Sequence, residues 1–113
     1  MTPVPTLYND LTPEAAEYWA TQIHSYTLQA NLDTITHATW KDIPSTYIFC
    51  TLDQAIPIGM QQLFVKKVQD KNTPWKGLTG GKELRIETWE SGHSPFLNMP
   101  AKVAESVAKA CRL

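Results

Sequence analysis

The run Tyr47-Ile-Phe-Cys50 constrains this chain more than any other. Four consecutive apolar residues, with Pro44 before them and Thr51-Leu-Asp53 after, read as a strand over Thr46 to Thr51 covered on both faces. Such a strand belongs in a parallel sheet between layers of helix. A second strand is predicted over Leu84 to Trp89, where Leu84, Ile86 and Thr88 alternate with Arg85, Glu87 and Trp89. Between the two, Pro57 sits where a first-turn proline would, opening a helix to about Val68 with Met60, Leu63, Phe64 and Val68 on its inner face. Strand, helix, strand implies parallel pairing through a right-handed crossover. Each strand runs out into a polar loop, and each loop carries one chemically capable residue. These are Asp53 after the first strand and His93, in Ser91-Gly-His-Ser-Pro95, after the second.

The remaining segments frame this unit. Residues 1–11, with Pro3 and Pro5, read as irregular lead-in. Thr12-Pro13-Glu14 has the cap, first-turn proline and acidic residue of a helix start, and Ala16, Trp19, Ala20 and Ile23 form its apolar stripe. Residues 24–38 read as loop with one short helical turn, and residues 70–82, with Pro74, Gly77, Gly80 and Gly81, as a surface loop. A last helix over Pro100 to Cys111 carries Val103, Ala104, Val107, Ala108 and Cys111 as a stripe for packing on a sheet. The order is α, β, α, β, α in a single α/β domain. Two parallel strands make a poor sheet alone, so the pattern is that of the tail of a larger one.

Composition removes several classes of function. Ten basic and 11 acidic residues, with no basic run, give no electrostatic case for nucleic acid or an anionic membrane. No apolar stretch approaches the roughly 20 residues of a membrane helix. The first ten residues lack the charged and apolar regions of a signal peptide. Cys50 in a strand and Cys111 on a helix stripe suit buried free thiols, so a reducing, cytoplasmic setting is expected. His24, His37 and His93 lack metal-ligand spacing, and no metal or cofactor is expected. Gly77-Leu-Thr-Gly-Gly-Lys82 lacks the spacing of a phosphate loop.

Asp53 and His93 each have a plain reading: Asp53 can cap the turn before Pro57, and His93 can be a loop histidine between Gly92 and Pro95. Together they are more specific. Both leave the carboxyl ends of strands, where α/β sheets place their sites. A carboxylate that holds an imidazole in one tautomer makes, with that imidazole, the acid and base of a serine–histidine–acid triad. The nucleophile is missing, because no Gly-x-Ser-x-Gly occurs in the 113 residues. Ser94, next to His93, is a weak substitute, since sequence neighbours rarely have nucleophile–base geometry. Trp19 and Trp40 fit either an apolar substrate pocket or the core.

Three of these runs resemble one family. Ala38-Thr-Trp-Lys-Asp-Ile-Pro-Ser-Thr-Tyr-Ile-Phe-Cys-Thr-Leu-Asp-Gln-Ala-Ile-Pro57, the pair Gln61-Gln62, and Ser91-Gly-His-Ser-Pro-Phe-Leu-Asn-Met-Pro100 are similar to the C-terminal third of fungal and bacterial α/β-hydrolases. That group is close to the plant methylesterases and hydroxynitrile lyases. The resemblance implies a partial α/β-hydrolase fold over residues 1–113: residues 12–38 as the end of the cap, and 39–113 as the last parallel strands with flanking helices. It implies Asp53 as the triad acid, His93 as the base, and cofactor-free hydrolysis of a small ester or lactone. The family's nucleophile and oxyanion-hole segments have no counterpart here. The chain is therefore expected to be inactive alone, to associate with an N-terminal hydrolase half or with itself, or to be a non-catalytic binding remnant in a biosynthetic pathway. The separation of 40 (93 − 53) exceeds the family's usual gap, and the excess falls in residues 70–82, expected to be a dispensable surface insertion or retained non-coding sequence.

Overall fold

The computed structural model describes residues 2–70 and 84–111. Its centre is a pair of parallel strands, β1 (Thr46–Cys50) and β2 (Arg85–Trp89), in register from Thr46 opposite Arg85 to Cys50 opposite Trp89. The ladder continues past the strand ends: Arg85 donates its N–H to Ser45 O, and Thr51 donates to Trp89 O, both at 3.0 Å. In this register Tyr47 and Phe49 turn their backbone groups toward β2, while Thr46, Ile48 and Cys50 turn theirs to the opposite edge. Among the described residues no other strand pairs with that edge.

The helices are α1 (Pro3–Leu7), α2 (Pro13–Thr21), α3 (Gln29–Leu32), α4 (Ile58–Gln69), α5 (Pro95–Asn98) and α6 (Pro100–Cys111), with a 3₁₀ turn at Thr39–Lys41. The start of α2 forms as its sequence predicts, with Thr12 Oγ1 accepting from Ala15 N–H at 3.4 Å. The short turn expected within 24–38 is α3. The loop expected over 70–82 lies, beyond Asp70, outside the described residues.

Four expectations are corrected. The lead-in is not irregular: Pro3 and Pro5 fall in the first turn of α1, where a missing N–H costs no helical bond. The face of α4 that turns inward is Gln61 and Val65, while Met60, Leu63 and Phe64 are exposed. The Gln61 amide accounts for that rotation. Its Oε1 accepts from Cys50 N–H at 2.9 Å, and its Nε2 donates to Cys50 O at 2.9 Å and Ile56 O at 2.7 Å. The side chain thus does at Cys50 what a neighbouring strand would do, and it closes the carboxyl end of the free edge. In α6 the buried residue is Ser106, not the predicted stripe, and Cys111 is exposed. Ser106 Oγ donates to Glu87 Oε1 at 2.9 Å, and Lys102 Nζ lies 4.9 Å from the Trp89 ring centroid. These contacts, one turn apart, set the face of α6 presented to β2. Finally, of the run Tyr47–Cys50 only Cys50 is buried; the other three are half-buried.

Candidate active site

Asp53 and His93 meet at the carboxyl end of the sheet. Parallel pairing in register sends the loops after β1 and β2 out at the same edge, which removes most of their 40-residue separation. His93 Nδ1 lies 2.9 Å from Asp53 Oδ2 and 3.1 Å from Oδ1. Asp53 is only 7 % exposed, whereas the His93 side chain is 34 % exposed.

The carboxylate is itself held. Ala55 and Ile56 donate their backbone N–H groups to Asp53 Oδ1 at 2.8 and 2.9 Å. The turn-capping reading of Asp53 is therefore satisfied by the same side chain that binds the histidine. The Asx turn fixes the carboxylate before the imidazole arrives, and Oδ2 is left for it. A carboxylate offers only acceptors, so the proton of the pair lies on His93 Nδ1. His93 Nε2 then carries a lone pair, with no hydrogen-bond partner among the described residues.

Serine 94 takes no part in this pair. It is buried, it stands at the N-cap of α5, and no hydrogen bond joins it to His93. Cys50 is no candidate nucleophile either. Burial, then the charges of Asp53 and Asp10, push its thiol pKa up and keep it neutral. Among the described residues no group of three or more His, Cys, Asp or Glu is placed to hold a metal ion.

Two residues absent from the sequence reading hold the site together. Asp10 Oδ2 accepts from Gly92 N–H at 2.6 Å and from Asn98 Nδ2 at 3.0 Å. Asn9 Nδ2 donates to Leu52 O at 2.9 Å. The polar triplet Tyr8-Asn-Asp10 carried the composition of a turn, and nothing local linked it to residues more than 40 positions away. Trp40 and Trp19 behave differently. Trp40 lines a cleft of about 540 Å³ with Tyr47, Phe64, Val65 and Leu84, at the amino ends of the strands and away from His93. Trp19 lies outside that cleft, partly exposed on α2.

A parallel β-α-β unit with an acid and a histidine joined at its carboxyl edge is an α/β-hydrolase feature, and comparison agrees. The model of the alpha/beta hydrolase family matches residues 1–106, and the chain belongs to that family. It is similar to a probable hydrolase, R7, of Phoma sp., at 28 % identity over 105 residues, covering 93 % of this chain and 40 % of that protein. It is also similar to the alpha/beta hydrolase nvfD of Aspergillus novofumigatus, at 28 % identity over 104 residues, covering 92 % of this chain and 37 % of that protein. The chain thus spans about two fifths of the length of these curated relatives. No solved structure matches it. Among the described residues no helix is long and apolar enough to cross a membrane.

Proposed function

We propose that this chain supplies the acid and base of a serine-hydrolase site acting on a small ester or lactone. In this reading β1 and β2 are the last two strands of the family's sheet, and residues 12–38 are the end of the cap. The observation that carries it is the Asp53–His93 hydrogen bond of 2.9 Å at the shared strand edge. Asp53 holds the imidazole with its proton on Nδ1, so that Nε2 can take the proton of a serine hydroxyl as that oxygen attacks the carbonyl. Asp53 then stabilises the imidazolium until Nε2 returns the proton to the leaving alkoxide. Water repeats the cycle on the acyl-enzyme.

The nucleophile and the oxyanion donors must come from elsewhere, on the same polypeptide or on another. Without them the covalent route and most of the electrostatic stabilisation are lost. The 113 residues alone are therefore inactive. The absence of a Gly-x-Ser-x-Gly motif also fits a second reading, a non-catalytic binding module. Nitrophenyl acetate turnover by the purified chain tests the main proposal: it should be no faster than free imidazole and indifferent to Ser94→Ala. Saturable turnover abolished by Ser94→Ala would overturn it.

A further inference from the structure

Three loops converge beneath His93, and one side chain joins two of them. The turn from Tyr8 to Leu11, closed by a bond from Leu11 N–H to Tyr8 O at 3.2 Å, brings Asn9 and Asp10 against the loops after both strands. Asp10 Oδ2 accepts from Gly92 N–H, from Asn98 Nδ2 and, at 3.4 Å, from Ser91 Oγ. Gly92 immediately precedes His93, and Asn98 ends the helix that follows it. Asp10 therefore grips the His93 loop on both sides. Leu52, beside Asp53, is held at the same time: its carbonyl accepts from Asn9 and its N–H donates to Ser91 O at 3.0 Å. Residues 9 and 10 thus fix the loops of the acid and the base against each other. The fit is close. A Cβ on Gly92 would lie 2.6 Å from both Asn9 Oδ1 and Asp10 Oδ1, so the bare Cα is what admits the turn.

We propose that Asp10 is a positioning residue for His93, acting through the Gly92 N–H to hold the imidazole within reach of Asp53. This rests on the reading of His93 as the base. The chemistry favours a carboxylate in that place. A charged acceptor makes shorter and stronger bonds than a neutral one, and here one oxygen serves donors on both sides of the histidine. The loop 90–94 lies between β2 and α5 outside any regular element, so its order depends on the bonds that Asp10, Leu52 and Asp53 make to it.

Hydrogen exchange of the 113-residue chain, followed by mass spectrometry, tests this without any assay of activity. Asp10→Ala should speed amide exchange across residues 90–94 by about tenfold or more, leaving β1 and α4 within about twofold. Exchange of the imidazole C2–H of His93 should move toward that of the exposed His24, which serves as an internal reference. Asp10→Asn keeps a neutral acceptor for Gly92 and should restore both readings in part, to values between those of Asp10→Ala and the native chain. Asn98→Ala removes one partner and should give the same local pattern at smaller amplitude; it decides the matter if Asp10→Ala yields no folded protein. Unchanged exchange over 90–94, or equal acceleration across β1 and α4, would overturn the proposal. Failure of esterase reconstitution would leave these readings untouched, so the two ideas can fall separately.

Discussion

A methyl group on Gly92 would place a Cβ 2.6 Å from Asn9 Oδ1 and Asp10 Oδ1, whose side chains are tied down through their other polar atoms, Asn9 Nδ2 to Leu52 O and Asp10 Oδ2 to the Gly92 N–H. Relief requires moving Asp10 and so breaking its bonds. Gly92→Ala should destabilise the fold by about 1–3 kcal/mol, the usual range for overpacking a filled site. Urea denaturation measures it, and a loss below about 0.5 kcal/mol, the range of neutral surface changes, would mean that the loop yields easily. The cysteines differ in a way their sequence settings hide. Cys111 is exposed and should react rapidly with an alkylating reagent at neutral pH, whereas Cys50 is buried with its thiol pKa raised, and should react only on unfolding. Tyr47 is also raised, first by burial and then by the charges of Cys50 and Asp53. Because the folded pKa lies above the unfolded one in both, the fold holds these protons more tightly. Their stability contribution is complete below the unfolded thiol value of about 8.5 and is lost as pH rises through the folded values. Urea midpoints should fall between pH 8 and pH 11, less steeply in Cys50→Ala; a flat profile would contradict the burial argument. Asp53 and His93 were legible in the sequence because each follows a strand in a polar loop. Asn9 and Asp10 were not, since their partners are brought to them only by the fold.

At the scale of elements, the β-α-β unit was legible because two apolar runs and an intervening helix leave few topologies open. The rotation of α4 was not. Apolar periodicity points Met60, Leu63 and Phe64 inward, yet Gln61 is buried because its amide completes the hydrogen bonds of Cys50. Leaving the N–H and C=O of a buried strand end unpaired costs more than burying Met60, Leu63 and Phe64 in place of Gln61 would recover. Gln61→Leu keeps the volume and removes both partners, so it should cost about 1–3 kcal/mol, read as a shift in the urea midpoint at constant slope. An unchanged midpoint would show that water or another group replaces the amide. The apolar stripe of α6 fails as a guide for a similar reason: it presumes a sheet broad enough to receive it, whereas Ser106 and Lys102 find β2 through Glu87 and Trp89.

At the scale of the molecule, little apolar side-chain surface is buried among the described residues. Among the described residues the buried apolar side chains are Ala16, Ala38, Cys50, Val65 and Trp89, while Tyr18, Tyr26, Leu28, Leu32 and Ile35 are exposed. The radius of gyration is 16.0 Å, against about 13 Å for a compact domain of this length. A strand edge at Thr46 and Ile48 that no other described strand pairs with, beside apolar surface exposed among the described residues, is a template for another chain. The 113-residue chain should therefore self-associate, and light scattering after size exclusion should report a dimer or larger; a thermally stable monomer would contradict this. The central claim, that Asp53 and His93 are the acid and base of a hydrolase site, is tested most directly by supplying what they would serve. Co-expression with the N-terminal part of a family member carrying the nucleophile should yield saturable ester hydrolysis. His93→Ala should abolish it, and Asp53→Asn should lower it by orders of magnitude, as expected from loss of the correct tautomer. Activity that appears on co-expression and persists in both variants would contradict the account.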